Sequence, residues 1–120
     1  MNQKIKNLEN LSTLKPNEKK AICEFTKLIR EKYRTIIKEI ILFGSKVRED
    51  SEKDSDIDIL IVLNTSSWEI KKTISELAAQ ENIKYNVLIS TVRYDAETWE
   101  NPVIKVSPFA TTVRNEGIWL

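Results

Sequence analysis

Along the chain, apolar positions recur first at helical and then at strand spacing, and the switches divide it into elements. Ile5, Leu8, Leu11 and Leu14 lie in a polar background, so residues 1–14 read as a short amphipathic helix or a loosely docked arm. Pro16 suits a first helical position and Glu18 the positive end of a helix. Ala21, Ile22, Phe25, Leu28 and Ile29 form one apolar stripe, which predicts a helix from Pro16 to about Arg34. Ile36 to Phe43 is rich in β-branched residues and stops at Gly44, the pattern of a strand. Ser45 to about Arg48 fits a single helical turn. Glu49 to Ser55 is wholly polar and reads as a loop, and Ile57 to Leu63 is a second, central strand. After a turn at Asn64–Ser67, Ser66 and Glu69 stand at capping-box spacing. The helix they open carries Ile70, Ile74, Leu77 and Ala78 and ends near Glu81. Lys84 to Thr91 alternates as a third strand, Arg93 to Pro102 connects, and Pro108 to Glu116 forms a last helix stopped by Gly117. Ile118-Trp119-Leu120 closes the chain.

This order predicts an α/β fold, a small mixed sheet flanked by helices, over one domain spanning 1–120. The first two strands are too close in sequence for a long crossover, so they are not a standard parallel pair. A length of 120 residues supports one core and not two. Apolar residues make up 41% and charged residues 31%, which suits a folded soluble chain. A formal net charge of +1 argues against direct nucleic-acid binding through a strongly basic face. The single cysteine, Cys23, permits no intrachain disulfide and reads as a structural thiol on a helix, which points to a reducing, cytoplasmic setting. Histidine is absent, which removes Ser-His-Asp triads, Cys-His pairs and the usual zinc sites. The longest apolar run, Ile59 to Leu63, is too short to span a bilayer, and the first residues lack the apolar core of a signal peptide.

Chemistry concentrates between the first two strands. A Gly directly after a strand permits backbone angles and close approaches that a Cβ blocks. Gly44 and Ser45 therefore form a tight turn able to meet a phosphate, with Lys46 and Arg48 adding positive charge close by. Asp56 and Asp58 are two apart, so on a strand their carboxylates share a face while Ile57 packs the other way. Two like charges held close call for a cation, and Mg²⁺ binds through one or two carboxylates plus substrate phosphates. Together these groups suit phosphoryl or nucleotidyl transfer. Either motif alone is weaker: Gly-Ser is a common turn, and Ser-Asp-Ile-Asp also suits a solvated strand entry. Trp68, Trp99 and Trp119 read as packing or partner anchors, and Lys19-Lys20 and Lys71-Lys72 as solvated helix faces.

The stretch LFGSKVR, a polar loop, then SDIDILIVL resembles the minimal nucleotidyltransferases of the DNA polymerase β superfamily, whose signature is Gly-Ser, ten residues, Asp-x-Asp. Arg48 falls where that family usually has an Arg, Ser55 matches the Ser before the first Asp, and Glu116-Gly117-Ile118-Trp119 resembles its closing phrase. The resemblance implies a nucleotidyltransferase fold and Mg²⁺-dependent transfer of a nucleoside monophosphate, AMP from ATP, to a hydroxyl. It further implies an antitoxin that binds, and adenylylates on a Tyr, a HEPN-domain toxin. Carried over, Asp56 and Asp58 hold Mg²⁺, and Gly44 and Ser45 hold the triphosphate. The family's third carboxylate, on the next strand, matches Asn86, which offers an oxygen but no charge and no proton acceptance. Asp95 is a substitute only if its loop reaches in. Three functions compete: an adenylyltransferase acting on a protein, a contact antitoxin that binds nucleotide or metal without catalysis, and, ranked last, transfer to a small cationic molecule such as an aminoglycoside.

Overall fold

The computed structural model describes residues 7–48, 55–65 and 67–120. The expected loop therefore lies outside the described residues except for Ser55, and so does Ser66 of the expected capping box. Helix α1 spans Pro16–Lys32, followed by strand β1 (Ile37–Phe43), the turn α2 (Ser45–Arg48) and strand β2 (Ile57–Leu63). Helix α3 (Trp68–Tyr85) leads to β3 (Ile89–Asp95), and three short helices follow: α4 (Ala96–Trp99), α5 (Pro102–Lys105) and α6 (Pro108–Glu116). Strand β4 (Ile118–Trp119) ends the order. The four strands form one sheet in the order β3-β2-β1-β4. β1 runs antiparallel to β2 and to β4, whereas β2 and β3 are parallel and joined by α3. This is the expected mixed sheet flanked by helices.

Period-two alternation sorts the strands into two faces. Ile40, Leu42, Ile57, Ile59, Ile61, Leu63 and Ile89 pack against Ala21, Ile22, Phe25 and Ile29 of α1 and Ile74 and Ala78 of α3. Ile41, Leu60 and Val62 point to the other face and meet Trp99, Ala110 and Val113 of the C-terminal helices. Each fully buried Ile or Leu contributes about 1.5–3 kcal/mol. A one-residue slip of β2 would move Ile57, Ile59, Ile61 and Leu63 out of the cluster under α1 and α3 and drive Asp58 into it, so the register that places the carboxylate is fixed by the core.

Three sequence expectations need correction. The N-terminal segment is no loose arm from residue 7 onward: a 3-10 turn at Leu8–Asn10 leads into Leu11 and Leu14, both buried in the main core. Helix α3 starts one residue after Ser67, whose hydroxyl accepts from the Ile70 N–H at 3.3 Å, and it continues to Tyr85 rather than ending near Glu81. The third strand consequently begins at Ile89, and Asn86 is not on it. Asn86 instead ends α3 in the left-handed region, φ 54°, with its N–H on the Asn82 carbonyl. The Asn82 side chain secures the exit: its Oδ1 accepts from the Ile89 N–H at 2.7 Å, and its Nδ2 donates to the Ile89 carbonyl at 3.2 Å.

Candidate functional site

Among the described residues, the C-terminal helices cover one part of the second face of the sheet. Trp99, Ala110 and Val113 seal Ile41, Leu60 and Val62. One step nearer the strand's start, on the same face, stands Asp58, and two residues before it the exposed Asp56. Asp58 is paired in register with Phe43, the last residue of β1, so the turn that follows Phe43 arrives beside the carboxylate. Gly44 there has φ +85°, and a Cβ on it would fall on Asp58 Oδ2 and come within 3.3 Å of Asp58 Cγ. Glycine thus meets two demands at once, a left-handed backbone and a space that the carboxylate fills. Ser45 opens α2, whose Val47 and Arg48 N–H groups close onto the Gly44 carbonyl at 3.1 and 3.4 Å.

The electrostatics follow from this crowding. Burial, and then the charge of Asp56, push the Asp58 carboxyl above the usual carboxylate range, with Arg48 pulling the other way. Arg48 also pairs with Glu116 at 3.6 Å. That contact brings the Glu116-Gly117 phrase to the edge of the site. A Cβ on Gly117 would strike Ile41 Cγ2 and the Val113 carbonyl, so this glycine seats α6 against β1. Ser55, immediately before Asp56, has its Oγ buried with no hydrogen-bond partner among the described residues. Two neighbouring carboxylates, one of them half-buried, with an orphaned hydroxyl beside them, form an oxygen donor set that fits a hard divalent cation. Among the described residues no group of three His, Cys, Asp or Glu side chains converges here.

Other expected site residues lie elsewhere. Lys46 does not face the turn's open side: it is fully buried, with its ammonium 3.2 Å from Glu18 Oε2 and 3.4 Å from the Thr13 carbonyl. Its charge is matched inside the protein, where a bare ammonium would be costly. Asn86, expected as a metal ligand, sits in the helix exit before β3 begins. Asp95 cannot substitute. It pairs in register with Leu63, five residues along from the Asp58–Ser90 pair, roughly 16 Å away at strand rise. Its carboxylate lies 3.9 Å from Lys71 Nζ. Sequence reasoning missed Leu88 and Ser90, which the parallel pairing of β2 with β3 brings beside the two aspartates. The alternation of Leu88 and Ser90 is visible in the sequence, but a strand expected from Lys84 does not reveal that they stand level with the aspartates.

The sequence profile described as "Nucleotidyltransferase domain" matches residues 22–118. Two proteins of Methanocaldococcus jannaschii are similar over most of both chains. "Putative protein adenylyltransferase MJ0604" is 41% identical over 101 residues, 84% of this chain and 95% of that one. "Putative protein adenylyltransferase MJ0141" is 33% identical over 102 residues, 81% of this chain and 96% of that one. Among solved structures, two mutants of the toxin-antitoxin MntA-HpeT share the fold, each with a TM-score of 0.51. They are 18% and 16% identical, covering 81% and 79% of this chain and 69% and 70% of theirs.

Proposed function

This chain belongs to the nucleotidyltransferase domain family, and from that premise we propose that it transfers AMP from Mg²⁺-bound ATP to a hydroxyl of a protein partner. The observation that carries this reading is the seating of the Gly44 turn directly on Asp58. It puts a phosphate-meeting bend and a cation-holding carboxylate within one contact of each other. In the reaction, the acceptor hydroxyl releases its proton to solvent, its oxygen attacks the α-phosphorus, the bond from that phosphorus to the α,β-bridging oxygen breaks, and pyrophosphate leaves. Asp56 and Asp58 would hold the cation, and Ser55 would add a neutral oxygen. When bound, Mg²⁺ neutralises triphosphate charge and favours the attacking alkoxide. Gly44 lets the backbone approach the phosphates, the Ser45 hydroxyl donates to them, and Arg48 supplies positive charge at the rim.

The partner we favour is a HEPN-domain toxin. The relatives named as protein adenylyltransferases support a protein acceptor, and the MntA-HpeT structures place a toxin-antitoxin among proteins of this fold. A second reading, a contact antitoxin that binds nucleotide or metal without turnover, draws on the absence of a third carboxylate among the described residues. The two separate on one experiment. The protein is incubated with Mg²⁺-ATP and the toxin encoded beside it, and the toxin is weighed by mass spectrometry. A gain of AMP that disappears with Asp56→Asn supports transfer. Neutralisation without a mass change, insensitive to that substitution, overturns transfer and supports contact.

A further inference from the structure

β2 and β3 run parallel, with Asp58 paired to Ser90 and Ile57 to Ile89. The Ile57 N–H donates to the Leu88 carbonyl at 2.9 Å, which fixes the start of the ladder, one residue after Asp56 on β2 and after Leu88 on the other chain segment. Neighbouring strands stand about 4.8 Å apart, and paired residues in a sheet send their side chains to the same face. Ile57, Ile59 and Ile89 all point into the core under α1 and α3, so Asp56, Asp58, Leu88 and Ser90 share the opposite face. On that face Ser90 is exposed and stands beside the half-buried Asp58, while Leu88 stays 55% exposed beside Asp56. A large apolar side chain exposed next to a carboxylate pair does nothing for packing or for cation binding. Ser90 is the residue of this strand with a side-chain oxygen that is paired in register with Asp58.

We propose that Ser90 supplies a further protein oxygen to the divalent-cation site, on the Asp58 side, beside those of Asp56, Asp58 and Ser55. The inference rests on the cation-binding reading given above and deepens it. A serine hydroxyl is a neutral oxygen donor, so it adds no negative charge to those of Asp56 and Asp58. The site's cation affinity is correspondingly modest, because charge count tunes such sites. Asn86 takes no part, since it lies before the strand with its backbone committed to ending α3.

The test is Mn²⁺ binding to the whole chain, read by electron paramagnetic resonance without nucleotide, across five proteins: unaltered, Asp58→Asn, Ser90→Ala, Ser90→Asp and Asn86→Asp. Circular dichroism checks that each is folded. Ser90→Ala is expected to weaken binding by about three- to tenfold, the worth of one neutral oxygen replaced by water. Ser90→Asp is expected to strengthen it by at least roughly tenfold through the added charge. Asn86→Asp is expected to leave it unchanged. If Asp58→Asn lowers affinity but both Ser90 variants bind as the unaltered protein does, or Asn86→Asp strengthens binding as Ser90→Asp should, the Ser90 assignment is overturned and the two-aspartate site stands. If Asp58→Asn itself binds normally, the cation site as a whole is overturned, and Ser90 with it.

Discussion

At Gly44, φ +85° and the contact with Asp58 Oδ2 make two separate demands on one residue. Gly44→Ala would put an L-residue in the left-handed region, costing about 1–2 kcal/mol. It would also push the Asp58 carboxylate aside. The expected outcome is a modest fall in the urea midpoint together with a loss of Mn²⁺ affinity of at least about tenfold, larger than the stability change alone explains. Asp58 itself makes the opposite prediction. Its folded carboxyl is raised by burial and by Asp56, so its contribution to stability is present where both states are protonated and is lost as pH rises through the folded value. In metal-free buffer, Asp58→Asn should therefore raise the urea midpoint at pH 7 and leave it nearly unchanged at pH 3. An unchanged midpoint at both would mean that Asp58 is not held in a crowded site. Gly44, Ser45, Asp56 and Asp58 were legible in the sequence because strand alternation fixes which side chains share a face. Lys46 was not. Its charge reads as one placed beside the phosphate-meeting turn, and only the fold brings Glu18, 28 residues earlier, to meet it.

Between α1 and α3, the elements are joined by an acidic pair as well as by apolar packing. Glu81 is buried on α3, and Glu24 of α1 accepts from Lys84 Nζ at 2.8 and 3.0 Å. Burial, followed by the hydrogen bond to Glu24 and its charge, pushes Glu81 up to about 7. The hydrogen bond from Glu81, followed by that from Lys84, holds Glu24 down to about 2. The pair thus keeps one proton on Glu81. The raised group favours folding below its ordinary value of 4.5, and that contribution drains away as pH climbs to about 7. The lowered group favours folding above 4.5 and loses its contribution as pH falls toward about 2. Glu81→Gln preserves a donor for Glu24 and removes the titration. Urea midpoints measured from pH 4.5 to 8 should fall for the unaltered protein and stay flatter for the variant, so parallel curves would refute the shared proton. The same helix shows why the third strand was placed too early. Ile74, Ala78, Glu81 and Tyr85 continue one helical stripe, but a buried glutamate breaks the apolar pattern that announces it. Asn86 was the available stop signal, since Asn tolerates the left-handed position at a helix end.

Across the whole molecule, the turn that carries the site is fastened from behind. Leu11 and Leu14 anchor the N-terminal segment in the core, Thr13 Oγ1 donates to the Lys46 carbonyl, and the Lys46 ammonium reaches Glu18 on α1. The N-terminal segment and the first turn of α1, 33 and 28 residues earlier at Thr13 and Glu18, both meet the chain at Lys46, immediately beyond the Gly44-Ser45 bend. If Lys46 were a phosphate ligand, Lys46→Met would weaken ATP binding and leave stability alone. The structure predicts the reverse order of effects. Removing one member of a buried pair leaves the other charge uncompensated, which costs about 3–5 kcal/mol. Lys46→Met should thus lower the urea midpoint sharply, and adding Glu18→Gln should restore most of the loss, because the stranded carboxylate is then gone. ATP affinity measured on the doubly substituted, refastened protein should stay within roughly threefold of the original, since a displaced backbone and not a lost charge is what the site would feel. A double variant that is stable but fails to bind ATP would return Lys46 to the phosphate-binding set.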